Sequence, residues 1–193
     1  DATHVPVGDD QKQHLELCRD IAQKFNNDYN VEDFLVPPEP LIQKQFSRIM
    51  SLKDGSKKMS KSDVSDLSRI NLKDSKDLII NKIKKAKTDP HPIPNIIEEL
   101  ENRPEAENLL GIYSSLKNQN INTTLKEFGG KNFSEFKTSL SEQLIDKISP
   151  MAKEINKLLN DPGYLDKILL AGAEKANDMA ENKVKEMKKI IGF

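Results

Sequence analysis

Cysteine is nearly absent. Cys18 stands alone among 193 residues, so no disulfide can form within the chain, and a reducing compartment is compatible. Long apolar runs are missing too. No stretch approaches the roughly 20 residues a membrane-spanning helix needs, and no charged-then-apolar leader opens the sequence, so neither a span nor a signal peptide is expected. Charge of one sign is also lacking. A net charge of −1 does not suit a nucleic-acid coat protein, and any RNA contact must come from local patches such as Lys82 to Lys87 or Lys183 to Lys189. Histidine is sparse, and His4, His14 and His91 have no metal-ligand spacing. No Ser/His/Asp set, paired-carboxylate site or zinc-binding cysteine pattern can be assembled, and no protein-bound metal is predicted. His14 lies one helical turn after Gln11 and reads as a surface or substrate-side hydrogen-bonding residue.

What is present is a chain with 36% hydrophobic, 32% charged and only 5% aromatic residues. Such a composition describes a soluble, helix-rich protein with a sizeable core, in one large domain or two small ones. Leu15, Cys18, Ile21, Ala22 and Phe25 recur at three and four, predicting an amphipathic helix over residues 11–25 with Cys18 on its core side. Phe34-Leu35-Val36 predicts a short strand ended by Pro37, Pro38 and Pro40, and residues 49–52 form a second short apolar run. Leu78, Ile79, Ile83 and Ala86 mark a helix closed by Pro90, Pro92 and Pro94. Leu109, Leu110, Ile112, Tyr113 and Leu116 mark another. Phe133, Phe136, Leu140, Leu144 and Ile148 form a stripe that Pro150 kinks or restarts. After an N-cap at Asp161, residues Leu165, Ile168, Leu169, Ala176, Met179, Ala180, Val184 and Met187 describe a long final helix. The fold class is therefore α/β plus all-α: a partial α/β unit over residues 1–70, then a helical domain over 71–193.

Two segments carry chemistry. Lys58-Met59-Ser60-Lys61-Ser62 follows Asp54-Gly55, where a turn is expected. Two positive charges and two hydroxyls at one spot suit a polyphosphate that changes shape during reaction. Lys57, just before them, reads as a solvated charge. The second segment is Val5-Pro6-Val7-Gly8-Asp9-Asp10-Gln11, a strand-like run ending in a turn that leads into a helix. Gly8 would let a ligand approach the backbone at a helix N-terminus. Asp10 could accept bonds from vicinal ribose hydroxyls. The plain alternative is a turn in which Asp9 or Asp10 caps the helix. The cluster Lys82, Lys84, Lys85 and Lys87 reads equally as a phosphate-binding patch or as the wet face of a helix.

Residues 5–22 (Val-Pro-Val-Gly-Asp-Asp-Gln-Lys-Gln-His-Leu-Glu-Leu-Cys-Arg-Asp-Ile-Ala) resemble the bacterial and organellar tryptophanyl-tRNA synthetases. Arg48-Ile49-Met50-Ser51-Leu52 followed by residues 57–63 resembles the same family in order and spacing. So does the tail from Pro162 through Ala180. The Lys-Met-Ser-Lys-Ser signature is common to class I synthetases, and the segment 5–22 is what points to tryptophan. The resemblance implies a Rossmann-like catalytic domain whose C-terminal part is residues 1–70, and an anticodon-binding helical region over 71–193. It implies an ATP site at Gly8, Asp9, Asp10, Ile49, Lys58, Met59, Ser60, Lys61 and Ser62. Lys58 and Lys61 would be catalytic, and Val5, Val7 and Gln11 would lie against tryptophan. The reaction implied is tryptophan–tRNA ligation, with MgATP, L-tryptophan and tRNA(Trp) as partners. The full-length protein would be a homodimer in the cytoplasm or an organellar matrix, with no role for DNA or membrane.

The family's other signature, His-x-Gly-His or His-x-Gly-Asn, has no match here, nor does the aspartate that reads the indole N–H. The chain is therefore expected to be the C-terminal half of such an enzyme and inactive alone. Two competing readings are a tyrosyl-tRNA synthetase fragment and a non-catalytic helical module that binds RNA or protein. Val5-Pro6-Val7 and residues 13–17 disfavour the first, and the intact Lys58/Lys61 pair disfavours the second.

Overall fold

The computed structural model describes residues 2–8, 11–42 and 48–193, and its contacts divide the chain into two compact units, 1–47 with 158–193, and 48–157. The first unit opens with strand β1 (His4–Pro6), helix α1 (Lys12–Asp28) and strand β2 (Glu39–Leu41). β1 and β2 pair in parallel, with Val5 opposite Pro40, so the three elements form a β-α-β crossover. Leu15 and Ala22 are the buried residues of α1. Arg19 reaches from the helix to the carbonyl of Pro38 (3.0 Å) and to the carboxylate of Glu39, fixing the start of β2.

Two expectations for this unit fail. Phe34–Val36 is not a strand. The side-chain amide of Asn26 brackets Leu35, accepting from its N–H and donating to its carbonyl, both at 2.9 Å. With those groups taken, and with Pro37 and Pro38 having no N–H to offer, strand pairing begins only at Glu39. Pro40 sits within β2, which a short edge strand tolerates. Cys18 is exposed rather than core, and so are Leu17 and Ile21 (58% and 57%). The apolar residues of α1 span more than one face, and this unit covers only the side carrying Leu15 and Ala22.

The unit closes with helix α6 (Pro162–Ile191). Asp161 caps it as expected, accepting from the Tyr164 N–H at 3.0 Å, and Gly192 ends it at φ 93°, where a side chain would be strained. None of its 30 residues is buried, so its apolar stripe is no part of the core formed by this chain's described residues.

In the second unit, strands β3 (Met50–Ser51) and β4 (Asp54–Lys58) form an antiparallel hairpin. The turn falls at Leu52 and Lys53, not at Asp54-Gly55, which belongs to β4. Gly55 is required for packing: a Cβ there would lie 2.5 Å from the Glu105 nitrogen and 2.6 Å from the Pro104 carbonyl carbon. Helices α2 (Lys76–Lys85), α3 (Pro104–Leu116), α4 (Ile121–Phe128) and α5 (Phe133–Leu159) follow. α2 ends at Lys85, before the prolines, because the next stretch turns extended at Ala86 and the Lys87 N–H bonds the Leu52 carbonyl (2.7 Å).

The core lies between these helices. Ile79 and Ile83, Leu109 and Leu110, Leu125, and Phe136 and Leu140 are at most 1% exposed. Tyr113, Phe128 and Phe136 meet edge to face or tilted at 5.0–5.6 Å, the arrangement that ring quadrupoles favour. α5 runs through Pro150 without a break, but its buried stripe stops at Ile148.

Candidate active site

The residues singled out from the sequence divide between the two units. In the first, Val5 lies in β1, and Val5, Val7 and Gly8 are half-buried. The Val7 N–H bonds the Leu41 carbonyl (3.1 Å), extending the parallel pairing by one residue. The Gln11 N–H bonds the Gly8 carbonyl (2.9 Å), and Gln11 stands at the N-terminal boundary of α1. Asp9 and Asp10 lie outside the described residues. His14 is exposed on α1, as expected.

In the second unit, the signature begins inside a strand. Lys58 is the last residue of β4, and the Met59 N–H bonds the Ile49 carbonyl at 3.0 Å. The hairpin thus brings together Ile49 and Met59, two residues that the resemblance gave to the ATP site. Beyond Met59 the chain leaves the hairpin and folds on its own hydroxyls. Ser60 Oγ and Ser62 Oγ lie 2.9 Å apart, the Ser62 N–H reaches Ser60 Oγ (3.3 Å), and the Asp63 N–H reaches the Ser60 carbonyl (3.3 Å). Lys58, Lys61 and Ser62 are exposed, while Met59 and Ser60 are half-buried.

Both roots of this loop are fixed by side chains that periodicity did not single out. Upstream, Asn108 on α3 clamps the Met50 backbone, accepting from its N–H (2.9 Å) and donating to its carbonyl (2.8 Å). A side chain thereby acts as the missing neighbouring strand. Downstream, Arg69 donates to the carbonyls of Asp63 (3.0 Å) and Ser65 (3.4 Å) and pairs with Asp66 (3.1 Å). The Leu52 N–H bonds the carbonyl of fully buried Ser68 (2.9 Å), returning the segment to the hairpin.

The ionic surroundings are largely paired. Lys57 is exposed, as expected of a solvated charge, and pairs with Asp54 (3.1 Å). Hydrogen bonds from Ser56 first, then from Lys57, lower the Asp54 carboxyl to about 2. Lys87 reaches Glu105 at 2.7 Å, and that hydrogen bond raises the ammonium and lowers the carboxyl. The lysine cluster of α2 is therefore not one patch. Lys84 and Lys85 are exposed, Lys87 is paired, and Lys82 is fully buried between Asp66 and Asp74. The sequence did hold a signal for Lys82: it falls at helical spacing on the apolar stripe of Ile79, Ile83 and Ala86. Among the described residues, no three His, Cys, Asp or Glu side chains gather as a metal-ligand group.

Two exposed lysines, Lys58 and Lys61, thus flank a hydroxyl-bonded turn anchored at the hairpin and at Arg69, an arrangement whose charge and donors suit an anionic group. Known proteins carry the same arrangement of sequence. The chain is 54% identical over 192 residues to a tryptophan–tRNA ligase of Caulobacter vibrioides, covering 100% of this chain and 56% of that protein. It is 51% identical over 189 residues to the one of Rickettsia conorii, covering 98% and 56%. Among solved structures, tryptophanyl-tRNA synthetase from Mycoplasma pneumoniae matches with a TM-score of 0.79 at 30% identity, over 98% of this chain and 56% of that one. The enzyme from Campylobacter jejuni, solved with ADP and tryptophan, matches at 0.67 and 27%, over 99% and 57%. The fold is thus part of a class I synthetase fold, and the chain spans little more than half the length of these relatives. The family model described as class I tRNA synthetases for W and Y matches residues 1–149, and the chain belongs to that family.

Proposed function

We propose that the complete protein is a tryptophan–tRNA ligase and that this chain contributes the signature-loop part of its active site. The observation that carries the reading is the loop Lys58–Ser62, rooted at Ile49 and at Arg69, in a chain about half identical to tryptophan–tRNA ligases along its whole length.

In the first step the tryptophan carboxylate attacks the α-phosphorus of MgATP, and pyrophosphate leaves. Negative charge builds on the α-phosphate and on the departing group. Lys58 and Lys61 are the catalytic pair. They tighten on that charge in the transition state more than on ATP in the ground state, which lowers the barrier without over-binding the nucleotide. The Ser60 and Ser62 hydroxyls, bonded to each other here, can turn to phosphate oxygens when the loop closes. Ile49 and Met59 lie on the adenine side. Gly8 with Asp9 and Asp10 serves ATP, and Gln11 with Val5 and Val7 serves tryptophan. In the second step a hydroxyl of the terminal ribose of tRNA(Trp) attacks the carbonyl of the tryptophanyl-adenylate, the acyl–phosphate bond breaks, and AMP leaves. Residues 1–70 are assigned to the catalytic domain and 71–193 to the helical, anticodon-binding region. The complete protein is a homodimer of the cytoplasm.

ATP–pyrophosphate exchange by the complete protein tests this, run with tryptophan, with tyrosine and with neither. Exchange driven by tryptophan alone is expected. Exchange driven by tyrosine would transfer the reading to the other specificity of the family. Silence in all three arms would favour a helical module that binds RNA or protein without catalysis.

A further inference from the structure

Lys82 is a full-length lysine with no exposed surface, and nothing in the chemistry above uses it. Its Nζ lies 2.6 Å from Asp74 Oδ2 and 2.7 Å from Asp66 Oδ2. Asp74 is itself buried, whereas the Asp66 side chain is half-exposed. Burying an ammonium is unfavourable unless its partners are held in place, and both are. The Asn71 N–H bonds Asp74 Oδ2 (2.9 Å), and the Asn71 side-chain amide spans Asp66 (2.9 Å) and Asp74 (3.2 Å). Asn71 also accepts from Arg69 Nε at 3.2 Å.

Followed outward, the network ends at the signature loop. Lys82 on α2 holds Asp66. Asp66 holds Arg69. Arg69 donates to the carbonyls of Asp63 and Ser65, immediately after Ser62. A carboxylate bonded to two cations keeps both in fixed places, and the Asp66 carboxyl is lowered chiefly by its hydrogen bond from Lys82, then by the one from Asn71. None of these residues is among those proposed above to meet ATP or tryptophan.

We infer that Lys82, acting through Asp66 and Arg69, is a positioning residue that fixes the downstream root of the Lys58–Ser62 loop and so sets where Lys61 stands in the transition state. The inference rests on the function proposed above. Its consequence is a particular kinetic pattern: loosening the root leaves substrate binding in place but misplaces a charge used only at the barrier.

Asp66→Asn is the variant of choice, because it removes the charge between Lys82 and Arg69 from a half-exposed side chain and leaves the buried Lys82–Asp74 pair intact. In the complete protein, kcat for tryptophan-dependent exchange is expected to fall about tenfold or more, since small misplacements of a catalytic group have effects of that order. KM for ATP and tryptophan should stay within about twofold, and amide hydrogen exchange over residues 59–65 should rise. Asp66→Glu, which keeps the carboxylate, should restore most of kcat. Leu144→Ala, a core change on α5, controls for general destabilisation and should leave both kcat and the loop amides as they are. Unchanged loop amides in Asp66→Asn, or raised amides with kcat unchanged, would overturn the inference. A wild-type protein silent with tryptophan would sink the proposed function instead. The amide comparison would then still decide whether this network fixes the loop.

Discussion

Helices α5 and α6 are written with similar apolar stripes, and the structure treats them differently. Through Ile148, α5 buries Phe133, Phe136, Leu140, Leu144 and Ile148, while α6 buries nothing along 30 residues. Leu169, Leu170 and Met179 are 62–76% exposed. Periodicity of 3.6 therefore specifies that a helix has a side to cover, and says nothing of what covers it. In the second unit the cover comes from α2, α3 and α4 of this same chain. In the first, Leu17, Ile21 and the α6 stripe share one property: apolar residues at helical spacing left in solvent.

The largest expected effect tests that difference. Phe136→Ala removes a ring packed against Tyr113, Phe128 and Phe133, and should cost about 3–5 kcal/mol of stability in urea denaturation. Leu169→Ala on α6, with the same change in character, should stay within about 0.5 kcal/mol. Equal losses would mean that the α6 stripe is covered after all and that the contrast is false.

Lys82→Met comes next, and it asks whether a buried charge sharpens the second unit as an apolar core does. It leaves Asp74 buried and short of its cation, which should cost about 3–5 kcal/mol. Adding Asp74→Leu removes the orphaned carboxylate and should recover much of the loss, because an apolar replacement of a buried pair is often close to neutral. A double variant no more stable than the single one would show that Asn71 and the backbone, not the charge balance, hold this corner. A smaller effect is expected at Asn108. Asn108→Ala leaves the Met50 N–H and carbonyl without their partner and should cost about 1–3 kcal/mol.

What could be read from the sequence follows the range of the interaction. Helices α2, α3 and α5 and the Asp161 cap depend on neighbours three or four positions apart, and they were legible, whereas the short helix α4 was not singled out. The resemblance gave Ile49 and Met59 to one site, but their backbone bond was not legible. Three features were not, because each depends on a side chain distant in sequence. Asn26 satisfies Leu35 and cancels a strand that composition favours. Asn108 stands in for a strand beside Met50, across 58 positions. Lys82 reaches Asp66 and Asp74 from α2, and although its place on the apolar stripe signalled burial, the sequence did not show which carboxylates it meets. Cys18 failed for another reason: an apolar stripe wide enough for two faces does not say which face is used.

The smallest effect concerns Tyr113, where the well-packed unit meets a titration. Tyr113 is 3% exposed and donates its hydroxyl to Glu127 (3.2 Å). Burial first, and the Glu127 carboxylate second, push the phenol up to about 12. The unfolded chain would ionise near the ordinary value of 10. Protons are thus held more tightly by the folded state, so this contribution is fully present below pH 10 and is lost as pH rises toward 12. By pH 11 the loss should be about 1 kcal/mol. Lysines titrate over the same range, so the quantity to measure is the difference between wild type and Tyr113→Phe in urea midpoints from pH 8 to 11.5. The variant should begin slightly less stable, by about 1 kcal/mol for the lost hydrogen bond, and the gap should close as pH rises. A gap that stays constant would mean that Tyr113 ionises alike in both states, and that the aromatic cluster admits more water than its burial implies.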